Sequence, residues 1–356
     1  MVNVSVSQLK VGDQIAENVL TRRSNLLLEK GKYITLREIE VLQAFLIPTV
    51  NIELKVLSET GEEIKQASVD TLYVEPPIFE RYEDMVKLVK QIFNSARTGM
   101  TPPILEIRNK LEALLQCIDQ YNVLSFSPKS MRMKEYLYHN SVMVALTSYQ
   151  LAKWHGYPQK DLIPIAMSGL LHDIGNAKVD SAILEKASKL TPAELEEVKK
   201  HTVYGYQIVK VMPAINEGVK LCALQHHERC DGSGYPMGIT GDKIHPYSKV
   251  VAIADIFHAM TNEKLYKKAT SPYLVLEELF TEAFGKLDPG LVQTFIARVT
   301  SFHNGTLVRL SDNRIGEIVF SDRSYPTRPW VNINGTIVNL TLERKLFIQE
   351  VIPKAN

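Results

Sequence analysis

The sequence predicts a mainly α protein: an all-helical core flanked by a small mixed α/β module at the N-terminus and a small β-rich tail at the C-terminus. Apolar residues recur with helical periodicity from about residue 77 to residue 284, as amphipathic helices require. Short β-branched runs separated by Gly, Asn, Asp and Pro occupy both ends of the chain, which is typical of small sheets. The 356 residues suit two or three domains, and we expect segments 1–66, 77–302 and 303–356.

The N-terminal module should combine short strands with one helix. Thr35 and Glu38 have the spacing of a capping box, so a helix is expected to begin there and to run to about Phe45. The expected strands lie at 4–6, 14–20, 26–28 and 49–54, followed by a polar link at 58–66.

In the helical segment, capping signals predict where helices begin and end. Ser127 followed by Pro128 is a helix start, and Gly156 is the matching end. Thr191 and Glu194 form a second capping box. The last clear helix should open at Asp288-Pro289, and β-runs follow at 306–310, 315–320, 330–332, 336–340 and 347–351.

The composition excludes several classes of protein. Lys plus Arg number 41 and Asp plus Glu 40, so no global basic field favours a long nucleic acid as partner. The cysteines Cys117, Cys222 and Cys230 are odd in number and lack C-x-x-C spacing, which argues against disulfides and a thiolate zinc site. No signal-peptide core or run of about 18 apolar residues occurs, so we expect a cytoplasmic protein with no membrane span.

Histidines and carboxylates recur together along the helical segment. Glu135 and His139 are four residues apart and share one helix face. Taken alone, they are better explained as an exposed pair on a surface helix than as metal ligands. His172 and Asp173 are adjacent at the end of an apolar helix, where an aspartate can bridge two ions, or where a histidine simply complements the helix dipole. His201, also at a helix end, would by itself be taken as structural.

Two further groups are harder to dismiss. His226 and His227 end another helix beside a glutamate, and Asp255 lies inside an apolar helix, where a carboxylate needs a partner. Imidazoles and carboxylates without thiolates suit iron or manganese, with zinc as the other candidate. The whole set is too large for one ion, so we expect a di- or trinuclear centre able to clamp a phosphodiester.

A glycine-rich loop follows His227 directly. It contains Gly232, Gly234, Tyr235 and Pro236; glycines let a backbone approach a ligand closely, and the tyrosine offers a flat ring or a hydroxyl. An ordinary surface loop would have a similar composition, but its place after the two histidines favours a role in binding.

These motifs together resemble the HD-GYP family of phosphodiesterases. The resemblance covers about residues 130–300 and lies in three linked segments: Leu171–Gly175 as the HD signature, His226–Pro236 as the HHExxDGxGYP segment, and Ala252–Phe257 as the following helix. It implies an HD-type helical core that hydrolyses cyclic di-GMP to linear pGpG, GMP or both by attack of a metal-activated hydroxide.

The resemblance also implies a role for each matching residue. The metal ligands would be Glu135, His139, His172, Asp173, His201, His226, His227 and Asp255, with Asp173 bridging two ions. The substrate would contact Arg229, Asp231, Gly234, Tyr235, Pro236, His258, Lys264 and Lys267.

One departure concerns the charge beside the HD signature. The family commonly has Lys at the position of Asn176, which brings no positive charge; Lys178 is the nearest lysine and is expected to take the catalytic role. A second departure is His258, where the family often has Asp. Both leave substrate preference and catalytic rate open.

Three alternatives to the enzyme hypothesis remain at this point. The chain could be a catalytically weak module that binds metal and nucleotide, because of Asn176. It could act on a different nucleotide or phosphoester, or it could be a helical scaffold with scattered histidines. A homodimer or signalling partner proteins would be compatible with any of them.

Overall fold

The computed structural model describes residues 2–21, 26–45, 47–53, 76–128, 135–186, 188–262, 270–300, 302, 304–322 and 324–352. The chain divides into two compact units. Residues 75–299 form the helical unit, whereas residues 1–74 and 300–356 together form a terminal unit. Each unit is described by itself below.

The helical unit is built mainly of α-helices, and two of its predicted capping signals are confirmed. Gly156, in the left-handed conformation, is the C-cap of the helix Tyr136–His155, and Thr191 caps the helix Pro192–Lys199 through a complete capping box. The helix opened by Pro289 is also confirmed. The helices are α2 (Pro77–Thr98), α3 (Ile104–Leu115), α4 (Tyr136–His155), α5 (Gln159–Leu171), α6 (Ser181–Leu184), α7 (Pro192–Lys199), α8 (His201–Lys210), α9 (Glu217–Gln225), α10 (Pro246–Thr261), α11 (Pro272–Glu282) and α12 (Pro289–Val299).

Helix α4 is the centre of the helical unit. It is buried around most of its circumference and packs against α2, α5, α10 and α12. One continuous apolar core runs from Ile78 in α2 to Ile296 in α12. The α4–α5 and α4–α10 contacts bring the C-terminal end of α5 and the middle of α10 together, which is where two of the predicted carboxylates lie.

The terminal unit contains small antiparallel sheets and one helix. Strands β1 (Val2–Ser5) and β4 (Thr49–Ile52) pair, as do β2 (Val19–Leu20) and β3 (Leu26–Leu28). Helix α1 (Leu36–Ala44) begins with the predicted Thr35–Glu38 capping box. A five-stranded sheet has the order β8-β7-β6-β5-β9; its strands are β5 (Leu307–Leu310), β6 (Ile315–Phe320), β7 (Trp330–Ile333), β8 (Thr336–Asn339) and β9 (Ile348–Ile352).

The two ends of the chain share one apolar core. Leu28 and Leu42 from the N-terminal part are buried in the same cluster as Leu307, Ile315 and Ile352 from the C-terminal part. The sequence treats these ends as separate segments, and its three-segment division stays a prediction. Segments of this size bury little apolar surface alone, so a core built from both segments buries more apolar surface than two separate cores would.

Some expected features lie outside the described residues. These are the polar link at 58–66 and residues 129–134, which separate the predicted helix start at Ser127-Pro128 from Tyr136, the first residue of α4. Among the described helices, none combines the length and the apolar character that crossing a membrane requires.

Candidate metal centre

Three helix ends and one helix interior bring the candidate ligands together. His172 caps the C-terminus of α5, and Asp173 follows it before a 3₁₀ turn. His201 opens α8, and His226 caps the C-terminus of α9. Asp255 lies in the middle of α10. Six of the eight metal ligands suggested by the sequence therefore meet, in two groups that share Asp173: Asp173, His201, His226 and His227, and His172, Asp173 and Asp255.

Asp173 faces the two groups with different oxygens. Its Oδ1 lies 3.3 Å from His201 Nε2 and 3.7 Å from His226 Nε2. Its Oδ2 lies 3.4 Å from His172 Nε2, which is also 3.4 Å from Asp255 Oδ1. This arrangement fits a carboxylate that bridges two cation positions.

Backbone carbonyls fix the orientation of three of the imidazole rings. The Nδ1 atoms of His172, His201 and His226 lie 2.7, 2.7 and 3.0 Å from the carbonyl oxygens of Gly169, Val198 and Cys222. An Nδ1–H that donates to a carbonyl leaves the Nε2 lone pair free, which is how metal-binding histidines are usually held.

Two features of the Nε2 atoms support a fit to metal ions. His201 Nε2 and His226 Nε2 are only 3.2 Å apart, and with both protons on Nδ1 two lone pairs would face each other. Among the described residues, His172 Nε2 is buried without a hydrogen-bond partner. A buried, unpaired nitrogen is costly, and a cation shared with the carboxylates would satisfy it.

The pKa shifts at the centre follow from burial and from the charges that face one another. Burial acts to raise the pKa of Asp173, but His172 and the other imidazoles lower it well below its usual range. Burial acts to lower the pKa of His172, but Asp173 and Asp255 raise it well above its usual range, so a cation at His172 Nε2 would have to replace a proton. Burial, helped by His226, keeps the pKa of His227 well below the ordinary value. The centre thus has ionised carboxylates that attract a cation and a neutral imidazole that can bind one.

Asp255 has a supporting residue that the sequence did not single out. Asn140 Nδ2 donates to Asp255 Oδ1 at 3.2 Å, which orients the carboxylate that α10 places in the core. Asn140 follows His139 in α4, and its only signal in the sequence is this adjacency.

Glu135 and His139 lie outside both groups, as far as the described residues extend. Glu135 Oε1 pairs with Lys90 Nζ at 2.8 Å, and His139 Nδ1 lies 3.0 Å from the hydroxyl of Tyr82. Both side chains have protein partners of their own, and their assignment as metal ligands stays a prediction.

The glycine-rich loop lies over the metal centre. The ring of Tyr235 stacks on the ring of His227, with centroids 4.7 Å apart and an angle of 25°. Lys199 Nζ lies 5.5 Å from the centroid of the Tyr235 ring, which is a cation–π contact. Nothing in the sequence indicated this contact, because 36 residues separate the partners.

Two charged residues of the loop bond within it. Arg229 donates to the carbonyl oxygens of His226 and Glu228. Asp231 Oδ1 accepts from Ser233 at the exposed side of the loop.

Several predicted residues have other surroundings. Lys178 Nζ donates to the carbonyl oxygen of Arg97 at 3.2 Å, and its catalytic role stays a prediction. His258 is buried, with Nε2 2.7 Å from Thr147 Oγ1, and its assignment to substrate binding stays a prediction. Asn176 is buried and donates to the carbonyl oxygen of Asp173. Lys264 and Lys267 lie outside the described residues.

A family model described as an HD domain matches residues 121–291, which contain all the residues of the two metal groups. A cyclic di-GMP phosphodiesterase of Pseudomonas aeruginosa is 29% identical over 232 residues, covering 65% of this chain and 56% of the relative. The cyclic di-GMP phosphodiesterase PdeB of Borreliella burgdorferi is 31% identical over 207 residues, covering 57% of this chain and 54% of the relative.

A third relative, the 3′3′-cGAMP-specific phosphodiesterase 3 of Vibrio cholerae, is 30% identical over 219 residues, covering 60% of this chain and 46% of the relative. The chain thus spans about half the length of the curated relatives it matches. Among solved structures, an HDG"Y"P protein from Bdellovibrio bacteriovorus aligns with a TM-score of 0.45 and 18% identity, covering 83% of this chain and 97% of that chain.

Proposed function

Because residues 121–291 match an HD-domain family model and the chain carries motifs that resemble those of the HD-GYP family, we propose that it is a metal-dependent phosphodiesterase that hydrolyses cyclic di-GMP to linear pGpG, GMP or both. The observation that carries the proposal is Asp173, whose two oxygens face two separate groups of ligands. A shared carboxylate fixes the separation of two cations, as a two-metal phosphodiesterase requires.

We assign the metal ions, iron or manganese, to the two groups around Asp173. When bound, they would stabilise the negative charge on the phosphoryl oxygens and lower the pKa of an attacking water. His201, His226 and His227 would hold one ion together with Asp173. His172 and Asp255 would hold the other, and Asn140 would keep the Asp255 carboxylate in place.

The loop residues would bind the nucleotide. Tyr235 stacks on His227, so its ring lies next to the metal centre with a flat surface on which a base can stack. Lys199, above the same ring, would bring positive charge near a phosphate. Arg229, Asp231, Gly234 and Pro236 would shape the loop around the substrate, with Lys264 and Lys267 as further proposed phosphate contacts.

A second candidate function is a catalytically weak module that binds metal and nucleotide. The observation that favours it concerns Asn176 and Lys178. The uncharged side-chain amide of Asn176 donates to the carbonyl oxygen of Asp173, and the ammonium group of Lys178 donates to the carbonyl oxygen of Arg97. Neither would bring a positive charge to the phosphate in this arrangement. If Asn176→Lys creates turnover in a chain that is otherwise inert, the second candidate is favoured.

The test is turnover by anaerobically purified protein loaded with iron or manganese. Cyclic di-GMP is the substrate, and its products are separated by chromatography. A parallel assay uses 3′3′-cGAMP, because relatives from V. cholerae are named as specific for it. Asp173→Ala should lower turnover by more than about a hundredfold and lower the metal content measured by mass spectrometry, because both groups lose a ligand. Asp180→Asn, which alters an exposed cap of α6, is the matched control. Wild-type turnover by Asp173→Ala would refute the proposal.

A further inference from the structure

The glycine-rich loop is tied to its own stem by a buried carboxylate. Glu228 directly follows His227 and is only 3% exposed. Its Oε1 accepts the N–H of Met237 at 2.7 Å, and its Oε2 accepts the N–H of Ile239 at 3.2 Å. Hydrogen bonds from backbone amides to an ionised carboxylate are among the stronger ones in proteins, so this side chain fixes the returning limb of the loop.

The first limb of the loop packs on the same stem. A Cβ at Gly234 would overlap backbone atoms of His227, Glu228 and Arg229, so the loop lies directly on the backbone there. The N–H of Tyr235 donates to the carbonyl oxygen of His227 at 3.2 Å. The position of Tyr235 therefore depends on how closely the loop stays against residues 227–229.

The side chain of Arg229, the neighbouring cationic residue, does not compete with the loop amides for the Glu228 carboxylate. Arg229 donates to the carbonyl oxygens of His226 and Glu228, not to the Glu228 side chain. Neither metal group includes Glu228. Its negative charge is buried at some cost, and the two loop amides are the contacts that offset this cost.

We propose that Glu228 is a positioning residue: it holds the loop so that Tyr235 stays stacked on His227 and ready to bind the substrate, without taking part in metal binding. The loop-holding role stands on the geometry alone. Its effect on substrate binding rests on the proposed function. A glutamine at this position keeps the shape but presents an NH₂ group to one of the two amides, so one hydrogen bond is lost.

The first measurement is hydrogen exchange of residues 234–241 together with the metal content of the protein. Glu228→Gln should speed exchange in this segment and leave the metal content at the wild-type level. Glu112→Gln, on the exposed face of α3 beside Arg108, is the matched control and should change neither. Glu228→Asp keeps the charge but is one methylene shorter, so it should show an effect of the same direction and provides a second variant if the glutamine variant folds poorly.

The second measurement is the kinetics of cyclic di-GMP hydrolysis. Glu228→Gln should raise KM about tenfold and leave kcat unchanged, because the metal ligands are intact. In a Tyr235→Ala background the same change should have no further effect on KM, because Glu228 acts through the position of that ring. A general structural defect would lower kcat or metal content and would add to the effect of Tyr235→Ala.

The outcomes separate the two proposals. Wild-type exchange of residues 234–241 in the Glu228 variants, or loss of metal in them, would overturn the positioning role. Additive effects of Glu228→Gln and Tyr235→Ala would overturn the route through Tyr235. Absence of cyclic di-GMP turnover in the wild type would count against the proposed function, while the exchange measurement would still decide the role of Glu228.

Discussion

His258 shows how burial decides the role of a single residue. Burial lowers its pKa to about 3, whereas a histidine in an unfolded chain titrates near pH 6.5. Between these values the unfolded chain binds a proton that the folded chain does not. The stability that His258 contributes is therefore complete above about pH 6.5 and is lost as the pH falls toward 3.

The corresponding prediction is a difference in pH dependence between the wild type and His258→Gln. The free energy of unfolding of the metal-free wild type should fall more steeply between pH 6.5 and pH 4.5, by about 1.4 kcal/mol per pH unit for the one proton involved. Urea unfolding at several pH values measures this slope. Glutamine does not titrate but can still bond to Thr147, so parallel curves for the two proteins would contradict the assignment.

Glu135 poses a separate question at the residue scale, the number of metal ions. Because Glu135 pairs with Lys90 and the two metal groups do not contain it, we expect about two metal ions per chain. Glu135→Gln should leave this number unchanged in mass spectrometry of the loaded protein. A wild type with three ions, reduced to two by Glu135→Gln, would instead support the trinuclear centre that the sequence left open.

At the scale of elements, the metal centre depends on one close contact between the 3₁₀ turn and α8. A Cβ at Gly175 would overlap the carbonyl oxygen of His201 and the backbone nitrogen of Gly205. Residue 175 therefore has to be glycine for His201 to reach Asp173. This is the physical reason for the glycine that ends the HD signature.

Gly175→Ala should separate the turn from α8. We expect a loss of about 3 kcal/mol in the free energy of unfolding, at the upper end for overpacking because the contact is with backbone, and a lower metal content. Gly205→Ala is the control across the same contact, since its Cβ would lie 3.4 Å from the nearest atom, an ordinary distance. Equal stability and metal content in the two variants would show that the close approach is dispensable.

At the scale of the whole molecule, the two units differ in how the chain builds their cores. Among the residues that the structure describes, the core of the helical unit draws only on the segment from α2 to α12. The core of the terminal unit needs both ends of the chain, since Leu42 and Ile352 belong to one cluster. The helical unit is therefore the part whose core is complete within one continuous segment.

We predict that a fragment of residues 76–300 folds and binds metal, because its core and its ligands are contained in it. A fragment of residues 1–74 should not fold alone, because it lacks the strands that complete its core. Circular dichroism, thermal unfolding and metal analysis of the two fragments test this difference. A cooperative unfolding transition for residues 1–74 would contradict it.

The sequence by itself determined the features that depend on neighbouring residues. Capping residues such as Thr35, Thr191 and Gly156 mark their helix boundaries because they satisfy backbone groups within one turn. The HD and HHE motifs likewise identified candidate ligand residues that the fold brings together, since each supplies adjacent side chains at a helix end. These signals depend on residues within about one helical turn, so they can be read without knowing how distant segments pack.

Only the tertiary structure decided which residues meet across the fold. It brought Asp173 close to His201 and Asp255, joined the Glu228 carboxylate to two amides of the loop, and buried His258 beside Thr147. It also merged the two chain ends into one unit. Burial and contact between distant segments depend on how helices pack, and no short pattern in the sequence encodes them.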